Sequence, residues 1–150
     1  MALDDDIAIL AAAPLFGSMN RDAQRLLCFA GDRRSLSPGE TLFARDEPAD
    51  GGFVVLSGRI ELAPRVSGGE PVSAGRSALI GRNALILGGR RPTSARATEP
   101  SEVMRITPAL MRRVLVEFPE AAAAIRETLA AELAELNLGL AAAGRRFAAD

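Results

Sequence analysis

Between residues 32 and 106 the chain signals a turn about once every ten residues. The signals are "SPGE" at 37–40, "EPADGG" at 47–52, "SG" at 57–58, "SGG" at 67–69 and "AG" at 74–75, then Gly81 and the pair at 88–89. Short apolar runs lie between them: "TLF", "FVVL", "RIEL", "SALI" and, further on, "EVMRI". Short strands punctuated this regularly pair antiparallel into a sandwich, barrel or jelly roll of about eight strands, not into a parallel α/β sheet.

Helical patterns flank that region. Asp4 to Asp6 favour a helix N-terminus, with Ile7, Leu10 and Ala11 on one face and Pro14 closing the segment. Asn20 is placed to cap a second helix over 21–30, in which Ala23, Leu26, Leu27 and Ala30 recur at helical spacing and Gly31 stops the run. After the strands, Thr107 and Pro108 form an N-cap followed by proline at the first helical position. Pro119 restarts the chain into a longer helix, with Ile125, Leu129, Leu133, Leu136 and Leu140 on one stripe. The division expected is one domain over 1–150. It comprises N-terminal helices at 1–31, a β-roll at 32–106, C-terminal helices at 107–141, and a loose tail at 142–150 after Gly139 and Gly144.

Composition narrows function by exclusion. The chain has no His and a single Cys, which removes most general-base, nucleophilic and transition-metal chemistry; no catalytic residue and no metal ligand is expected. Cys28 lies on the second helix and reads as a small core residue in a reducing cytoplasm. A net charge of −1 offers no field for nucleic acid or an anionic membrane. The first residues are acidic where a signal peptide would be basic, and no apolar run approaches the ~20 residues of a membrane span.

One stretch stands apart: "IGRNALILGGRRPTSARA", residues 80–97. Gly81 permits a tight backbone and close approach of a ligand. "NALIL" can make one or two helical turns, and no acidic or hydroxyl side chain stands at its start to satisfy the first N–H groups. Arg91 returns about ten residues later and can add a charge-assisted contact to a phosphate or carboxylate. On these features alone the loop is either an anion cradle or a solvated turn carrying Arg90 and Arg91.

The order of parts resembles the cyclic nucleotide-binding domain family, which includes bacterial catabolite activator proteins and protein kinase A regulatory subunits. The resemblance covers almost all of residues 10–137. "PLFGSM" and the helix after it look like the family's opening, and "SPGETLFARDEPADGGFVVLSGRIEL" at 37–62 looks like its strand pattern. Ile80, Gly81, Arg82, Asn83, Ala84 and Leu85 take the first places of the phosphate-binding cassette, Arg91 falls on the cassette arginine without a gap, and Pro92, Thr93, Ser94 and Ala95 follow. The resemblance implies a double-stranded β-helix jelly roll that binds a cyclic nucleotide, cAMP or cGMP, with no resident cofactor. It implies that Arg91 pairs with the cyclic phosphate, that backbone at Gly81, Arg82, Asn83 and Ala84 completes the cradle, and that Thr93 and Ser94 lie near the base or phosphate. It also implies that the last helix closes over the pocket, with Leu133 and Leu136 as lid residues, and dimerises.

Arg82 departs from the pattern, because the family carries Glu there and uses it to accept a hydrogen bond from the ribose 2′-hydroxyl. A guanidinium can only donate. Losing such a charge-assisted bond costs roughly 1.5–3 kcal/mol, about 10- to 150-fold in affinity. Three readings follow: Arg82 turns outward and binding is weakened, Arg82 joins Arg91 in holding a more anionic nucleotide, or the pocket is vestigial. The apolar stripe of the last helix likewise has two readings, packing on its own β-roll or pairing with a second copy. The functional expectation is a stand-alone sensor that passes occupancy to a partner through its C-terminal helices; its rival is a non-binding dimerisation scaffold on the same fold. A DNA-binding regulator would need a recognition helix beyond Asp150, and an enzyme of cupin type would need histidines that the chain lacks.

Overall fold

The structure, a computed structural model, describes the backbone of residues 2–149 and the side chains of residues 3–138. Eight strands form two antiparallel four-stranded sheets, flanked by helices at both ends. The first sheet runs in the order β1 (Asp32–Leu36), β8 (Ser101–Ile106), β3 (Gly52–Ser57), β6 (Leu79–Ile80). The second runs β2 (Thr41–Phe43), β7 (Ala95–Ala97), β4 (Ile60–Leu62), β5 (Val72–Ala74). This is the mainly β jelly roll that the resemblance implies, one of the antiparallel forms that the turn spacing allows.

Its core is double, and that explains the apolar runs. Every residue of β3 from Gly52 to Leu56 is buried. Phe53 and Val55 point into the roll, where they meet Leu36, Leu42, Phe43, Ile60, Ile80 and Val103. Val54 and Leu56 point the other way, onto Ile7, Leu10, Phe16, Leu27 and Met111 of the helical layer. β8 does the same, with Val103 inward and Met104 and Ile106 outward. A strand covered on both faces loses its polar alternation, so "FVVL" reads as a continuous apolar run.

The helical layer comprises α1 (Ala2–Ala11), α2 (Arg21–Ala30), α4 (Pro108–Glu117) and the first part of α5 (Pro119–Ala149); a 3-10 turn at Phe16–Ser18 joins α1 to α2. Both expected caps form. The Asn20 side chain accepts from Ala23 N–H at 2.9 Å, and the Thr107 hydroxyl oxygen accepts from Leu110 N–H at 3.1 Å, with Pro108 at the first helical position. Arg33 on β1 ties the layer to the roll by pairing with Asp6 of α1 and Glu102 of β8. A second tie runs from the Ser77 hydroxyl to the Ile9 carbonyl at 2.8 Å.

Four details differ from the pattern. Ala11 is exposed and Ile9 takes a place in the core, because α1 is covered by both α2 and β3. β1, β5 and β7 form without an apolar run, since ladder hydrogen bonds recruit charged and small residues: β1 and β5 bond to β8 and β4 at the sheet edges, and the interior β7 bonds to β2 and β4 on its two sides. The run "SALI" contributes only Leu79 and Ile80 as strand. Residues 142–149, expected as a loose tail, continue α5; alanine is the best helix former and surrounds Gly144, offsetting a glycine cost of about 1 kcal/mol.

Cys28 is buried in the helical layer, and burial pushes its thiol up to about 11. Because the folded value lies above the ordinary thiol value of ~8.5, folding favours the neutral thiol. The associated stability is present below the ordinary value and is lost as pH rises toward 11. Iodoacetamide at pH 8 is therefore expected to leave native Cys28 unmodified and to label it in denaturant. Denaturant midpoints are expected to fall between pH 9 and pH 11 in the parent more steeply than in Cys28→Ala, and equal slopes would contradict the burial.

Candidate functional site

Gly81 ends β6 in the left-handed conformation, φ 78°, and starts the short helix α3 (Arg82–Ile86) with no side-chain cap. Ala84 and Leu85 anchor α3 in the core. The segment after α3 is zipped to the loop after β2: Ala49 N–H donates to Gly89 O at 2.8 Å, Arg91 N–H to Glu47 O at 2.9 Å, and Asp46 N–H to Arg91 O at 2.9 Å. Further along, the Thr93 hydroxyl donates to Ala63 O at 2.6 Å. These bonds fix the backbone on both sides of Arg91 and leave its side chain one direction, inward.

Arg91 is only 3% exposed. Its guanidinium lies over the ring of Phe43 at 4.4 Å from the centroid and 5.4 Å from that of Phe53, a cation–π seat provided by two of the chain's six aromatics. Nη2 stands 3.8 Å from Asp50 Oδ1, while Asp50 also accepts from Arg105 Nη2 at 2.6 Å. Nη1 is buried and has no hydrogen-bond partner. Burial lowers the Arg91 pKa from its ordinary value, against the attraction of Asp50 and Glu47; arginine is still charged at neutral pH. A buried cation with an unsatisfied donor is costly and calls for an anion.

That donor lies against Gly81, at the wall of a cavity of about 600 Å³, within the usual size range of small-molecule sites. Gly81, Arg82, Asn83, Ala84, Arg91 and Thr93 all line it, so six of the seven expected ligand-site residues come together. Ser94 does not line it, since the chain has by then entered the bonds that lead to β7. Leu133 and Leu136, expected as lid residues, are also absent from the lining and are more than half exposed; α5 has left the body of the domain after Leu129, which is still packed against the core. The side chains of Leu140 and of the expected tail lie outside the described residues.

Arg82 lines the cavity and forms an ion pair with Glu132 of α5, Nη1 to Oε1 at 2.7 Å, both side chains being half-buried. Sequence reasoning missed Phe43, Phe53, Asp50 and Glu132. Phe43 and Phe53 carried a signal in a chain so poor in aromatics; Asp50 and Glu132 carried none, because their roles come from neighbours distant in sequence. Among the described residues no group of three or more Cys, Asp or Glu is arranged to hold a metal, and no helix is long and apolar enough to cross a membrane.

A jelly roll with a short helix and a buried arginine on one wall of its cavity defines a class of small-ligand domains. The particular family follows from sequence: the profile of the cyclic nucleotide-binding domain matches residues 33–118, and the chain belongs to that family. It is similar to a cyclic nucleotide-binding-like protein from Brucella abortus, at 36% identity over 75% of this chain and 98% of that one, with a TM-score of 0.66. It also resembles the N-terminal domain of a transcriptional regulator from Streptomyces coelicolor, at 25% identity over 88% of this chain and 94% of that one, TM-score 0.80. The third, the catabolite activator protein of Thermus thermophilus, matches at 25% identity over 85% of this chain, TM-score 0.70; the chain spans 62% of that protein's length. No curated protein matches this chain.

A Cβ at Gly81 would lie 2.6 Å from Arg91 Nη1 and would force a left-handed backbone on an L side chain. Gly81→Ala is expected to lower unfolding free energy by about 1–2 kcal/mol, read from urea midpoints with unchanged slope. A neutral result would mean that the backbone at residue 81 leaves the left-handed conformation, and Arg91 gives way, at no cost.

Proposed function

We propose that this domain is a regulatory sensor of a nucleotide phosphate, a cyclic nucleotide such as cAMP or cGMP, and that it passes occupancy to a partner through α5. The observation that carries this reading is the orphaned Nη1 of Arg91, a buried donor at the wall of a cavity large enough for a nucleotide. In this reading the phosphate accepts from Arg91, and backbone N–H groups at Gly81, Arg82 and Asn83 add donors, that of Ala84 being donated to Gly81 O at 3.0 Å. Thr93 has lone pairs free to accept from the base or sugar, its proton being donated to Ala63 O. Ser94 stays a weaker candidate, reachable only if the loop rearranges. The domain performs no chemistry of its own.

Two features support transmission through α5. Arg82 links the cavity wall to Glu132 on that helix, so a change at the wall reaches α5 directly. Beyond Leu129 the helix exposes Leu133 and Leu136, which share a face suited to a second copy of the chain. With Cys28 kept as a neutral thiol, the fold suits a reducing cytoplasm.

Calorimetric titration of the parent and of Arg91→Ala with cAMP and cGMP tests the reading. The parent is expected to bind at least one of them and Arg91→Ala to lose it by about 10-fold or more. A silent parent would favour the dimerisation scaffold.

A further inference from the structure

Four arginines line the main cavity, Arg65, Arg82, Arg90 and Arg91, and none of its lining side chains is a carboxylate. Arg45 adds to the positive field nearby, its Nη2 donating to the Arg65 carbonyl at 2.9 Å. Arg90 spends one donor on the Asp46 carbonyl at 2.8 Å, a bond that leaves its charge uncompensated. The carboxylates that face the two central arginines stand outside the cavity: Asp50 behind Arg91 at 3.8 Å with Glu47 on the same side, and Glu132 across from Arg82 at 2.7 Å. A concave wall of one sign concentrates its field on whatever enters. A single phosphate on Arg91 would leave most of that field unused.

We infer that the ligand of this cavity is a nucleotide carrying two separated anionic groups, one held by the buried Arg91 and the second by Arg82. The inference rests on the reading of the cavity as a nucleotide-phosphate site and specifies the class of nucleotide. Glu132 is the anionic partner that the second group would replace at Arg82. The pair is half-exposed and therefore weak, whereas a phosphate meets the Arg82 fork bidentately within the cavity. Arrival of the second group exchanges the Arg82 partner from Glu132 to the ligand, and α5 loses its tie to the wall. Arg82 is then the residue that sets ligand specificity, and the exchange makes the output depend on the second anionic group rather than on the first.

Adenosine 3′,5′-cyclic monophosphate and adenosine 3′,5′-bisphosphate share base and sugar and differ by one separated phosphate, so their affinities compared by calorimetry on the full chain isolate its contribution. The bisphosphate is expected to bind about tenfold or more tightly, with the steeper loss of affinity in salt. Arg82→Gln is expected to bring the two affinities to near equality. Glu132→Gln, a change outside the cavity, is expected to widen the preference by removing the competing carboxylate. Arg91→Ala should weaken both ligands. If the cyclic monophosphate binds as tightly as the bisphosphate, or if the preference survives Arg82→Gln, the inference fails and the nucleotide-phosphate reading stands. If neither ligand binds, both fail.

Discussion

One cation organises this domain. Arg91 is drawn into a jelly roll built almost wholly from aliphatic side chains, where an unpaired charge is expensive. The surrounding structure offsets the cost in three ways: the faces of Phe43 and Phe53, the distant carboxylate of Asp50, and a backbone held by bonds to Asp46 and Glu47. What the fold does not supply is a partner for Nη1, and that donor stands beside the one glycine whose missing side chain makes room for it. Gly81, without a Cβ, leaves room for that donor, and the loop after α3, held to the loop after β2, forms part of the cavity wall.

The rest of the architecture serves that placement. β3 and β8 are buried on both faces, so the interior of the roll and the helical layer share two strands as a common wall. Phe53 beneath Arg91 and Val54 beneath the helices are consecutive residues of β3. α3 packs on β3 and α4, and α4 packs on α5, so the cavity wall and the last helix are joined through the core as well as by the Arg82–Glu132 pair. A displacement at the wall has two physical routes to α5, one through packing and one through charge.

The sequence was legible where local chemistry decides. Asn20, Gly31, Thr107, Pro108 and Pro119 mark helix boundaries because a cap or a missing N–H acts within one turn. The runs of β2, β3, β4 and β8 are visible because their burial is nearly continuous. β1, "DRRSL", was not visible, since its pairing with β8 and the Arg33 contacts to Asp6 and Glu102 carry a strand that its own residues do not announce. Gly139 and Gly144 misled in the opposite direction, because alanine-rich surroundings outweigh two glycines. In the site, spacing left the loop open between an anion cradle and a solvated turn, and the family resemblance singled out Gly81 and Arg91, whereas Ser94, Leu133 and Leu136 could not be excluded from the cavity without knowing where the loop and α5 go.

By itself, then, the sequence determined a β-roll between helices, because that depends on turns, caps and short spacings, and its family resemblance marked Gly81 and Arg91 as the cradle. Tertiary structure alone decided what surrounds the two central arginines. Phe43, Phe53 and Asp50 reach Arg91 from other strands and loops, and Glu132 reaches Arg82 from 50 residues away. Charge compensation in a folded chain is set by distance in space and by burial, and neither is a property of neighbours along the sequence.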